Sequence, residues 1–68
     1  MLPPDAIEKG LFQVMKITAA PVQYLTRYAD RTLTVFPVSW CLHSFGETTM
    51  TDLEENISAF LLMEYVNN

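Results

Sequence analysis

Cysteine, histidine and glycine are all scarce in this 68-residue chain, which holds one Cys, one His and two Gly. A single cysteine excludes a disulfide within the chain. Together with one histidine, it cannot supply the four Cys and His ligands of a structural zinc site. Gly10 and Gly46 stand far apart, so no glycine-rich loop is available to bind phosphate. We therefore expect neither a metal nor a cofactor.

Basic residues and long apolar runs are also lacking. Four Lys and Arg face eight Asp and Glu, and this balance predicts no direct binding to nucleic acid, because neutralising phosphates dominates such affinity. The longest stretch without a charged residue, 32–46, has 15 residues, whereas a membrane span needs about 20 apolar ones, so we expect no membrane insertion. The first five residues carry two prolines and no base, unlike a secretory signal. With one thiol, this predicts a cytoplasmic protein.

The chain has room for one domain, 1–68, and its apolar half and eight aromatics favour a folded one. Apolar residues recur at helical spacing in several segments. The pattern predicts a mostly α fold of about four short helices: a helical hairpin over 4–30, a short helix over 37–45 and a C-terminal helix over 52–66.

The helical hairpin depends on two segments. In the first, Ile7, Leu11 and Val14 share one helical face, although Gly10 weakens the helix. A strand over 12–17 fits less well, because Met15 interrupts the alternation of apolar and polar residues. The second segment begins at Pro21, a residue suited to the first turn of a helix.

Residues 32–42 allow a second interpretation. Thr32 to Phe36 is rich in strand-forming residues, and Pro37 would confine such a strand to the edge of a sheet. The alternative to the mostly α fold is therefore an α+β fold with one or more strands in 32–42. A helix opening at Pro37 and stopping at Gly46 is the preferred interpretation.

The C-terminal helix carries the most specific signals. Thr51 and Glu54 are spaced as a capping box, in which each side chain satisfies a backbone N–H of the other residue. Beyond this start, apolar residues form two stripes on opposite sides of the helix. The first holds Leu53, Ile57, Phe60 and Leu61, and the second holds Ala59, Leu62, Met63 and Val66. A helix that is apolar nearly all round is normally buried, and so small a chain has little with which to cover it. The second stripe is therefore predicted to contact a protein partner or a second copy, in a homodimer.

Candidate chemistry is sparse. Cys41 and His43 form the only pair of nucleophile and base, and on a helix two residues apart they point in different directions. No orienting group is near in sequence, so the chain is predicted not to be an enzyme. Arg27 and Arg31, one helical turn apart, are the best candidates for binding an anion.

The sequence thus predicts a small non-catalytic protein-binding module, such as an inhibitor, adaptor or assembly subunit. A virus- or phage-encoded accessory protein that blocks a host enzyme is one form it can take. The expected contact residues join the second stripe to the acidic residues before and within the helix, Glu47, Asp52, Glu54 and Glu55. One alternative is an acidic mimic of nucleic acid that occupies a DNA- or RNA-binding groove. Another is a homo-oligomer that holds a small anion at Arg27 and Arg31.

Overall fold

Three antiparallel strands followed by two helices make up the fold. The computed structural model describes the backbone of residues 2–67 and the side chains of residues 2–64. The strands are β1 (Phe12–Ile17), β2 (Gln23–Tyr28) and β3 (Arg31–Pro37), and the helices are α1 (Val38–Phe45) and α2 (Met50–Asn67). β2 lies in the centre of the sheet, between β1 and β3. The fold is α+β, and the predicted mostly α fold with four helices is wrong.

A β-hairpin replaces the helical hairpin predicted over 4–30. The helical turns that begin at Pro3 end at Gly10, which has a φ of +70°. There the N–H of Leu11 donates to the carbonyl of Ala6, and the N–H of Gly10 donates to that of Ile7. This pair of hydrogen bonds is a Schellman motif, which stops a helix and lets the chain leave in a new direction. β1 begins two residues later.

The second predicted helix, which was expected to begin at Pro21, does not form, and residues 23–28 form β2 instead. The Ala20–Pro21 peptide is cis and lies in the loop between β1 and β2. The next turn, between β2 and β3, has only two residues, Ala29 and Asp30, and Ala29 takes a φ of +56°. A positive φ at the first position of a two-residue turn suits the twist of an antiparallel hairpin. No glycine marks this turn in the sequence.

The last two helices agree with the sequence interpretation more closely. α1 follows Pro37 directly and ends before Gly46, whose φ is +70°. The segment 32–42 is thus divided, since β3 ends where α1 begins. At the start of α2, however, Thr49 accepts the Asp52 N–H on its Oγ1 at 3.1 Å, and the predicted capping box of Thr51 and Glu54 does not form.

The core lies between one face of the sheet and the two helices. α2 packs on β1, and α1 packs on β3. Side chains that sit directly opposite each other on paired strands point to the same face. Because Phe12, Val14 and Thr26 are buried, their cross-strand rows form the core face. The core cluster consists of Leu2, Ala6, Phe12, Val14, Cys41, Leu53 and Ile57.

A β-bulge adapts β3 to this core. Arg27 pairs with Thr32 and Thr26 pairs with Thr34, so Leu33 is an extra residue in β3. Leu33 packs against the core cluster. The buried Thr26 hydroxyl donates to the Thr34 carbonyl at 2.8 Å and accepts the Thr34 N–H at 3.1 Å. The bulge therefore leaves no unpaired hydroxyl in the core.

Four aromatic side chains join β3 to both helices. Phe36 stacks on Trp40 with ring centroids 4.9 Å apart. Phe60 meets both rings edge-on, at 6.1 and 5.3 Å, and Phe45 meets Trp40 edge-on at 5.5 Å. Neither helix within residues 2–67 combines the length and apolar character of a membrane span.

Candidate interaction surface

The face of the sheet opposite the helices carries apolar side chains. Strand register places nine residues there, in three cross-strand rows, and we call them the open face. The rows are Gln13–Arg27–Thr32, Met15–Leu25–Val35 and Ile17–Gln23–Pro37. The second of these, the central row, is apolar throughout. None of the nine belongs to the core cluster or to the side chains packed against it.

Exposure confirms that the central row is uncovered. Met15 is 39% exposed and Val35 is 41% exposed, while Leu25 between them is half-buried. Val22, in the loop beside the third row, is 38% exposed. Solvated faces of antiparallel sheets are normally polar. Five of the nine residues on the open face are instead apolar.

The size of the open face can be judged from strand geometry. Strands about 4.8 Å apart and residues about 3.4 Å apart give nine residues an area of roughly 300–400 Å². The largest apolar patch on a typical monomer is about 300–600 Å² and is often functional. The whole open face, five of whose nine residues are apolar, is thus comparable in area with such a patch.

Both edges of the sheet are irregular templates for a further strand, for different reasons. On β1, the Phe12 N–H donates to the Ala6 carbonyl, and the Val14 N–H donates to Glu54 Oε2 at 3.1 Å. On β3, the bulge and the terminal Pro37 disturb the ladder that an added strand would need. Face contact is therefore the better route to association through this sheet.

Four of the predicted contact residues of the C-terminal helix lie on the outer side of α2. At 3.6 residues per turn, Asp52, Glu55, Ala59 and Met63 follow one line along the helix, and all four are exposed. Met63 is the most exposed, at 64%. Leu62 is half-buried, and the side chain of Val66 lies outside the described residues.

The acidic residues do not form one surface. Glu54 points inward to Val14, so its carboxylate is occupied by a backbone N–H of β1. Glu47 is exposed in the loop after α1, whereas Asp52 and Glu55 are exposed on α2. This arrangement removes one of the four carboxylates that a nucleic-acid mimic was expected to display.

The predicted pairs for anion binding and for nucleophilic chemistry are both separated. Arg27 and Arg31 belong to neighbouring cross-strand pairs, whose side chains point to opposite faces of the sheet. Cys41 is buried in the core, where desolvation raises the pKa of its thiol, while His43 is exposed on α1. Among the described residues, no three His, Cys, Asp or Glu side chains are grouped as a metal would require.

A small cavity adjoins Cys41. It has a volume of about 30 Å³, room for a single water, whereas ligand pockets hold about 300 Å³ or more. Its lining consists of Tyr24, Cys41, Leu42, Gly46, Thr48 and Leu53. The open face is thus the better candidate for a functional site.

Sequence reasoning missed the central row because it placed Met15 and Leu25 in helices. A signal was available: apolar pairs of neighbours, Val14–Met15, Tyr24–Leu25 and Val35–Phe36, recur in three strand-length segments. In a strand, two neighbouring apolar residues mark two apolar faces. Comparison with known protein families, curated proteins and solved structures yields no match for this chain.

Proposed function

We propose that this protein is a small protein-binding module without catalytic activity, and that it binds through the open face. The observation that carries the proposal is the uncovered apolar row of Met15, Leu25 and Val35 on a sheet that packs both helices on its other side. The partner surface that fits it is mainly apolar, with a hydrogen-bond acceptor near Arg27.

The open face supports this function better than the outer side of α2. Its apolar residues adjoin one another across three strands, so they form one continuous area. The outer side of α2 offers Ala59 and Met63 beyond the acidic Asp52 and Glu55, which gives a narrow line divided between charge and apolar surface. A cytoplasmic location is part of the proposal, because the one thiol, Cys41, is buried and unpaired.

Affinity capture from extract of cells that naturally express the protein tests this function. The Met15→Gln/Val35→Thr double variant makes the centre of the open face polar while keeping side-chain size. Met63→Gln is the matched control, since it makes the same change at an exposed methionine on α2. The expected result is a protein retained by the wild type and by Met63→Gln, and lost by the double variant.

Salt separates this function from acidic mimicry. Capture through apolar contact persists as salt rises to about 0.5 M, whereas contact with a basic groove weakens steeply. If the double variant retains the same proteins as the wild type, the open face is not the binding surface. Suppose instead that Glu47→Lys/Glu55→Lys abolishes capture and Met15→Gln/Val35→Thr does not. Acidic mimicry of nucleic acid then replaces binding through the open face as the function.

A further inference from the structure

The open face has the features of a surface that binds a second copy of itself. We propose that two copies of this chain pack open face to open face, with a twofold axis along the central row, to form a four-layer dimer whose two sheets are in the middle. This inference rests on the proposed function and names the occupant of its surface.

The position of charges supports contact through this face. Of the nine residues on the open face, Arg27 is the one that carries charge, and none of the eight acidic residues lies there. The exposed acids Glu47, Asp52 and Glu55 lie in the layer of helices instead. Two copies with a net charge of −4 each can thus approach through their sheets without bringing these acids together.

The charge of Arg27 determines which twofold axis is favoured for the dimer. A twofold axis parallel to the strands places each row opposite the same row of the second copy. Arg27 then meets Arg27 of the second copy. An axis along the central row instead places Leu25 on Leu25 and the row of Arg27 on the row of Gln23. Each guanidinium then faces the side-chain amide of Gln23 in the second copy, which can accept a hydrogen bond. The two Arg27 side chains are separated by about 14 Å, the length of four strand residues.

The area of the contact places it below the size of stable interfaces. Two open faces bury roughly 600–800 Å² in total, while stable interfaces bury about 1,200–2,000 Å². The dimer is therefore expected to be weak and transient. Sheets that pack face to face lie about 10 Å apart and are nearly aligned.

Sedimentation equilibrium of the full chain between about 10 µM and 1 mM tests the dimer. The average mass is expected to rise from 7.8 kDa towards twice that value across the range. The Met15→Gln/Val35→Thr variant is expected to remain monomeric with an unchanged far-ultraviolet circular dichroism spectrum, and Met63→Gln to behave as the wild type. A wild type that stays monomeric at 1 mM, or a double variant that associates equally well, overturns the proposal.

Substitutions at Gln23 test the axis. With the proposed axis, Gln23→Glu faces Arg27 of the second copy and strengthens association several-fold at low salt, while Gln23→Lys weakens it. Net charge alone predicts the opposite order, since Gln23→Glu makes both copies more acidic. That opposite order overturns the proposed packing. A monomeric chain that still captures a protein through its open face refutes the dimer and leaves the proposed function intact.

Discussion

Glu54 Oε2 accepts a hydrogen bond from the backbone N–H of Val14 across 3.1 Å, and this contact joins α2 to the outer edge of β1. Because the Val14 N–H donates to Glu54, it points away from Thr26, its cross-strand partner on β2. A carboxylate is a strong acceptor for such a donor. The contact both secures the helix and occupies a donor on the strand edge that a further strand would need.

Removing this acceptor is expected to destabilise the fold. Glu54→Ala leaves the Val14 N–H without its partner and lowers the free energy of unfolding by about 1–3 kcal/mol. Glu54→Gln retains an oxygen acceptor and loses less. Chemical denaturation measures both, with Glu55→Ala, at the exposed neighbouring position, as the control expected within about 0.5 kcal/mol of wild type. Equal losses for Glu54→Ala and Glu55→Ala would contradict the contact.

The buried hydroxyl of Thr26 is expected to stabilise the bulge in β3. Thr26→Val keeps the shape of the side chain and removes both hydrogen bonds to the Thr34 backbone, at a cost of about 1–3 kcal/mol. Thr32→Val makes the same change at an exposed position of β3 and serves as the control. Thermal unfolding of the two variants gives the comparison, and a Thr26→Val protein as stable as Thr32→Val would refute this role.

Gly10 distinguishes the first predicted helix of the 4–30 hairpin from the observed turn. In a continuous helix, Gly10→Ala would stabilise the protein by up to about 1 kcal/mol. At the observed φ of +70°, alanine is strained, and Gly10→Ala is expected to destabilise by about 1–2 kcal/mol. No atom lies within 4 Å of the added methyl group, so the backbone conformation alone determines whether Gly10→Ala raises or lowers stability. A rise in the unfolding midpoint would support the helix instead.

Ala29 offers the reverse test. Its φ of +56° is unfavourable for alanine and free for glycine, so Ala29→Gly is expected to raise stability by about 0.5–1 kcal/mol. Ala59→Gly, on an exposed turn of α2, is expected to lower it by about 1 kcal/mol. Urea denaturation of the pair checks the difference in sign. Destabilisation by both substitutions would mean that Ala29 is unstrained.

Cys41 is expected to be unreactive in the folded protein. Its side chain is 3% exposed, and desolvation raises the pKa of the thiol, so the reactive thiolate is scarce at neutral pH. Alkylation by iodoacetamide, followed by mass spectrometry, should be slow in buffer and fast in concentrated urea. Alkylation of the folded chain at the rate of a free cysteine would place the thiol outside the core.

Local signals were sufficient for the two helices. Pro37 and Gly46 delimit α1 within the chain itself, since one suits a helix start and the other a helix end. The apolar spacing of 52–66 identifies α2, with its first residues displaced because the cap is Thr49. A strand within 32–42 was the alternative interpretation, whereas β1 and β2 were missed. Met15 and Leu25 occupy the open face, where a polar residue would have shown the alternation typical of a strand.

The sequence by itself determined the two helices and the burial of Leu53 and Ile57. These properties follow from spacing and composition, which are local. Only the tertiary structure decided that 12–37 pairs into a sheet, that Glu54 bonds to β1, and that Met15, Leu25 and Val35 adjoin one another. Strand pairing unites residues that are distant in the chain, and its energy comes from contacts that no single segment contains.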